Sequence, residues 1–198
     1  MKKEMKIKEI AKSVMSDDLS MYRKKYSKVS DVFESDYADF VSPISACSHN
    51  YDADVMIVMQ DWAHYDGVKN ADRSGPKIGY NPKLKANVEL DKRLESIGES
   101  RNSVYMTNAM VHLKHTATID GAVSAPDMRQ SIEKFTLREI DAIRPKVVLV
   151  VGSNASAQMK KLVGDEYADA KIIYMSHPSA RISNARKDAE WDAVKAQI

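Results

Sequence analysis

"RPKVVLVVGSNASAQM", residues 144–159, decides the fold. Lys146–Val151 is a short apolar run, opened by Pro145 and closed by Gly152, and rich in valine. Such a run, too short for a helix and bounded by breakers, reads as a strand buried on both faces. Ser153 and Asn154 then open a segment with helical spacing over Asn154–Val163. A strand that passes directly into a helix is the start of a βαβ unit. Three further runs share its character: Val55–Met59, Val104–Thr107 and Lys171–Met175. Helical patterns fill the gaps at Asn87–Ile97 and Asp127–Ile143; Pro126 starts the second, and Arg144-Pro145 stops it. Strands alternating with helices predict an α/β fold whose parallel sheet is covered on both faces. The first 40 residues read as helical, with Ile7, Ile10, Ala11 and Val14 at helical spacing and Leu19 to Tyr26 following. The expectation is a three-layer αβα domain spanning residues 1–198, with a short, mainly parallel four-stranded sheet and residues 1–50 as a helical extension packed on it.

Composition narrows the function. A chain of 198 residues with 43% apolar and 29% charged content can bury one full core. It holds no run of about 18 apolar residues, so no membrane span is expected. The basic start "MKKEMKIKEIAKSVMSDDL" is broken by charges throughout and reads as an amphipathic helix rather than a secretion signal. A single cysteine, Cys47, allows neither an internal disulfide nor a cysteine-ligated cluster, and points to the reducing cytosol. The net charge of +2 announces no polyanionic partner, but its distribution is uneven. Between Lys69 and Asn87, Lys69, Arg73, Lys77, Lys83 and Lys85 face one acid, Asp72, in a stretch broken by Gly75-Pro76 and Asn81-Pro82. A basic loop there could hold phosphates, though a solvated surface has the same composition.

In parallel sheets, ligands sit outside the carboxyl ends of the strands. The Val55–Met59 run ends in Gln60-Asp61-Trp62-Ala63-His64, and the Val104–Thr107 run ends in Thr107-Asn108. The run of the opening quotation ends in Gly152-Ser153-Asn154, and the Lys171–Met175 run ends in Ser176-His177-Pro178-Ser179. Each polar end has an ordinary explanation: a helix cap for Asp61, a turn residue in Asn108, a structural histidine in His177. A carboxylate, a carboxamide and an imidazole converging on one crevice weigh against all three at once.

These residues carry a resemblance. Met59-Gln60-Asp61-Trp62-Ala63-His64 is similar to the "GQDPYH" motif of the uracil-DNA glycosylase superfamily. "TNAM" at Thr107–Met110 resembles its asparagine-bearing strand end. The strand and helix of residues 144–159 resemble the "RPRVVVALGATAAQALLG" type. "HPSAR" at His177–Arg181 resembles its "HPSP" motif and is nearest to the single-strand-selective branch. The match runs from about Val55 to Arg186, and four motifs in the right order make it specific. It implies a monomeric, monofunctional glycosylase that flips a base from DNA and leaves an abasic site, without metal or cofactor. Asp61 would stabilise the sugar cation and orient water, and His177 would hydrogen-bond the departing base as a neutral donor. Gln60 would offer its backbone N–H to the base, Asn108 would read the base edge, and Tyr80 is the candidate aromatic floor. Ser153 and Ser179 would grip the DNA backbone beside Lys69, Arg73 and Lys77, and Arg181 or Ile182 would fill the gap left by the flipped base.

Two departures bear on the substrate. Met59 replaces the glycine of the motif, and Trp62-Ala63 replaces its proline and tyrosine, as in a "QDWG/QDWA" group. Ala63 lacks the ring that excludes a C5 substituent, so the expected substrate is a C5-modified pyrimidine, hydroxymethylated or glycosylated, as in phage DNA. Uracil repair, an idle DNA-binding relative and a hydrolase of free nucleosides are the alternatives. Elsewhere, His112 and His115 lack the cysteine or fixed acid of a metal pair. The sequence after Gly152 lacks the further glycines and the lysine of a phosphate-binding loop.

Overall fold

The structure, a computed structural model, describes residues 2–70, 79–115 and 122–198. Helix α1 (Lys3–Met15) comes first and buries Ile7, Ile10, Ala11 and Val14, the residues its spacing selects. Strand β1 (Tyr26–Ser27), helix α2 (Ser30–Phe33) and a 3₁₀ turn at Pro43–Cys47 follow. The central elements are β2 (Val55–Asp61), α3 (Tyr65–Lys69), α4 (Lys85–Ser96), β3 (Tyr105–Met110) and β4 (Leu113–Lys114). Then come α5 (Ala125–Ser131), a π-helical turn at Ile132–Thr136, α6 (Leu137–Ile143), β5 (Val147–Val151) and α7 (Ser153–Val163). The chain closes with β6 (Glu166–Tyr167), β7 (Ala170–Met175) and α8 (Asn184–Lys195).

The main sheet has the order β3-β2-β5-β7-β6, parallel from β3 to β7, with β6 antiparallel at the edge. All residues of β3 and β5 are buried, as strands covered on both faces must be. One apolar layer joins Met56, Val58, Val148 and Val150 to α1, α5, α6 and α7. The other joins Ile57, Met59, Leu149 and Val151 to Leu90 and Leu94 of α4 and Trp191 and Val194 of α8. Helices on both faces of a mainly parallel sheet make the expected three-layer α/β architecture.

Two sequence expectations are corrected. The sheet has five strands rather than four, because a two-residue hairpin adds β6. Ala168 and Asp169 link its arms at φ 52° and 70°, the positive values that a tight hairpin turn requires. Leu19 to Tyr26 is not a helix. The Asp18 side chain caps a single 3₁₀ turn by accepting from the Ser20 N–H at 3.0 Å, and Tyr26 joins a strand opposite Lys114. No helix among the described residues is long and apolar enough to cross a membrane.

Candidate active site

Asp61 is the last residue of β2, and its side chain is 15% exposed. Lys114 of β4 reaches it with an ammonium group in direct contact with Oδ2, its own side chain being 11% exposed. From the other side the Gln60 carboxamide donates to Asp61 Oδ1 over a long 3.4 Å. Gln60 is itself oriented, since its Oε1 accepts the Asn154 N–H of the first turn of α7 at 3.1 Å. Gly152 makes room for this. A Cβ there would lie 3.0 Å from Gln60 Oε1, and its φ of +111° suits only glycine.

Asn108 lies in β3 opposite Met59 and is 1% exposed. The Ser42 hydroxyl donates to its Oδ1 at 2.5 Å, which fixes the amide with Nδ2 as the end left to donate. Ser42 was not singled out by sequence reading. It lies in an irregular stretch before the 3₁₀ turn, where no periodicity marks it.

His177 follows β7, and its Nδ1 lies 2.7 Å from Ser179 Oγ and accepts the Ser179 backbone N–H at 3.2 Å. A backbone N–H can only donate, so the neutral ring carries its proton on Nε2. Burial pulls the imidazole below its ordinary 6.5, and Lys187 adds to the effect, against the opposing field of Asp61. In the sheet, β5 stands between β2, which ends in Asp61, and β7, which His177 follows. Ser153 and His177 share an open cleft of about 330 Å³ with Ser176, Arg186 and Glu190. Glu190 anchors the strand end by accepting from the Ser176 N–H and hydroxyl at 3.0 and 2.8 Å.

Among the described residues, the lining of this cleft includes neither Asp61 nor Asn108, and the other expected residues have surroundings of their own. Ala63 is half-buried, between two residues with contacts of their own. Trp62 donates from Nε1 to the Gly79 carbonyl at 2.7 Å and packs edge-on against Phe33. His64 accepts the Gly67 N–H at 3.1 Å as the cap of α3. Tyr80 is half-buried with the Arg101 guanidinium 3.9 Å over its ring, so one face is covered by protein. Ser179 is exposed and its hydroxyl is turned to His177; Arg181 is exposed and Ile182 half-buried. Lys69 is exposed, its ammonium 5.5 Å from the centre of the Tyr65 ring. Arg73 and Lys77 lie outside the described residues.

His112 and His115 are turned to different partners. His112 is buried against Asp17 at 2.9 Å, whereas His115 stacks on Tyr65 and meets Ser27 at 2.6 Å. Sequence reading weighs these two histidines and passes over Lys114 between them. No group of three or more His, Cys, Asp or Glu among the described residues could hold a metal ion.

With this geometry in place, the profile of the Uracil DNA glycosylase superfamily matches residues 48–197, about three quarters of the chain. The chain belongs to the uracil DNA glycosylase superfamily. No curated protein matches it. The superfamily comprises DNA glycosylases, hydrolases that act on DNA, and its match begins before β2 and ends beyond α8. Residues 2–47, which include Ser42, α1 and β1, lie outside it.

Proposed function

We propose that this protein is a DNA glycosylase that flips a pyrimidine out of DNA and hydrolyses its N-glycosidic bond, leaving an abasic site. The observation that carries the reading is a carboxylate at the end of β2, Asp61, together with a neutral His177 after β7 whose Nε2 carries the N–H. Breaking the C1′–N1 bond leaves positive charge on the sugar and negative charge on the base. Asp61 stabilises the first and orients the water that attacks C1′. His177 hydrogen-bonds the second, at the base oxygen where charge collects, and preorganised donors of this kind act strongly in a half-buried site. Asn108 offers its Nδ2 donor to the edge of the flipped base. We assign the contacts to the DNA backbone to Ser153, Ser179, Lys69 and Arg181, with Arg73 and Lys77 as further phosphate-contact candidates from the sequence, and the entry into the vacated stack to Ile182 or Arg181.

The substrate we favour is a C5-modified pyrimidine, hydroxymethylated or glycosylated, of the kind carried by phage DNA, which would make the activity one of antiviral defence. Ala63 supports this, because it replaces the aromatic ring of the related motif with a methyl group, and Trp62 and His64 are held by contacts of their own. The test offers uracil, thymine mispairs, 5-hydroxymethylated and glucosylated pyrimidines in matched duplexes to wild type and Ala63→Tyr. Wild type should release the bulky bases, and the tyrosine should suppress that release while sparing uracil. Activity on uracil alone, indifferent to the tyrosine, would make the protein a uracil repair enzyme.

A further inference from the structure

Lys114 has no part in the scheme above, yet its ammonium touches the carboxylate on which that scheme depends. Both side chains are largely buried, so the contact is little screened by solvent. Lys114 is also held from its own backbone. Strand β4 pairs with β1, setting Lys114 opposite Tyr26, and an isolated bridge ties it to His64. Tyr26 is fixed in turn by its hydroxyl, which donates to Asp127 at 3.0 Å. The strand that anchors Lys114 therefore comes from the segment preceding the superfamily match.

An aspartate at a strand end has two side-chain torsions to fix before it is useful, and charge-assisted bonds hold such a group better than neutral ones. Among the described residues the carboxylate is gripped unequally: Oδ2 by a cation in contact, Oδ1 by the long Gln60 contact. We propose that Lys114 is a positioning residue for base excision, pinning Asp61 by Oδ2 so that Oδ1 is the oxygen left for the sugar and the attacking water. Misplacing a reacting group by about 1 Å costs about a hundredfold in rate. A cation on one oxygen withdraws part of the charge that stabilises the sugar, so its benefit is orientation, and the benefit exists only while Asp61 is present.

That dependence gives the test, which rests on the role of Asp61 proposed above. Single-turnover base release and DNA affinity are measured for wild type, Lys114→Met, Lys114→Arg, Asp61→Asn and the Asp61→Asn/Lys114→Met double variant, with thermal unfolding of each. Lys114→Met should slow release about a hundredfold while affinity changes less than about threefold. Lys114→Arg should recover most of the rate, and the double variant should be no slower than Asp61→Asn alone. If Lys114→Met does not fold, Lys114→Gln, which keeps a donor without the charge, runs through the same cycle. A wild-type rate in Lys114→Met overturns the proposal, as does an affinity loss as large as the rate loss, failure of arginine to restore, or additive losses in the double variant. A wild type that releases no base from any substrate sinks the glycosylase reading and this role with it; an active wild type with additive losses sinks this role alone.

Discussion

At the residue scale, His177 is where chemistry and surroundings constrain each other most tightly. Its Nδ1 must accept from Ser179, so a second ring proton would set two donors against each other. Burial favours the same neutral form, and its lowered pKa means that the ring charges only below pH 6.5. Base release should therefore be level above pH 6.5 as far as His177 is concerned, and should fall as pH drops through the lowered value. The histidine's contribution to stability follows the same sign, present above its ordinary pKa and lost as acid charges the buried ring. Ser179→Ala removes the hydroxyl partner but keeps the backbone N–H, so it should slow release modestly and leave the profile's shape unchanged. A pH–rate profile of the two proteins checks this, and a rate that rises as pH falls below 6.5 would show that imidazolium is the active form.

The same residues show what can be read from sequence and what cannot. Asp61, Ser153 and His177 are legible because each stands at or just past the end of an apolar strand, whereas Asn108 lies inside β3, which runs on to Met110 beyond the expected end at Thr107-Asn108. Lys114 and Ser42 are not legible, because their roles come from partners far along the chain. Ser42 reaches Asn108 across 66 positions, and Lys114 depends on a two-residue strand pair that no periodicity can announce. The pairing of Tyr80 with Arg101 is a contact between two turns on either side of α4, which no local pattern announces.

At the scale of elements, the four parallel strands and the α4 and α7 helices follow from apolar runs and spacing. Helix α8 is weakly marked because only Trp191 and Val194 are buried along its length. The helix expected over Asp127–Ile143 is continuous but carries the π-helical turn at Ile132–Thr136, which leaves the apolar spacing almost intact. One joint between elements carries a titration of its own. Glu139 of α6 is fully buried, and its Oε1 accepts the Tyr105 hydroxyl of β3 at 2.6 Å. Burial pushes its carboxyl up to about 8, against the lowering effect of that hydrogen bond. A raised folded-state pKa means that the stability is fully present below the unfolded value of 4.5 and is lost as pH climbs to about 8. The slope is at most about 1.4 kcal/mol per pH unit. Glu139→Gln keeps an oxygen for Tyr105 and has no charge to bury, so denaturant titrations should show a much flatter dependence on pH across that window. Parallel stability curves for the two proteins would mean that Glu139 does not titrate there.

At the scale of the whole molecule, the segment before the superfamily match acts as part of the site's scaffold. It supplies Ser42 to Asn108, β1 to the strand bearing Lys114, and Phe33 to Trp62. Sequence reading treats this segment as a helical extension; the structure joins it to Asn108, to Lys114 and to Trp62. Above all, we propose that Asp61, at the end of β2, and His177, after β7, together break a nucleoside bond in DNA. The most direct measurement is base release from oligonucleotides carrying a single uracil, 5-hydroxymethylated or glucosylated pyrimidine, followed by alkali cleavage at the resulting abasic site. Wild type should yield one cleaved product on at least one substrate, and Asp61→Asn, folded to the same thermal midpoint, should be slower by about 10²–10³-fold. Intact oligonucleotide throughout, or equal cleavage by the two proteins, would contradict the claim.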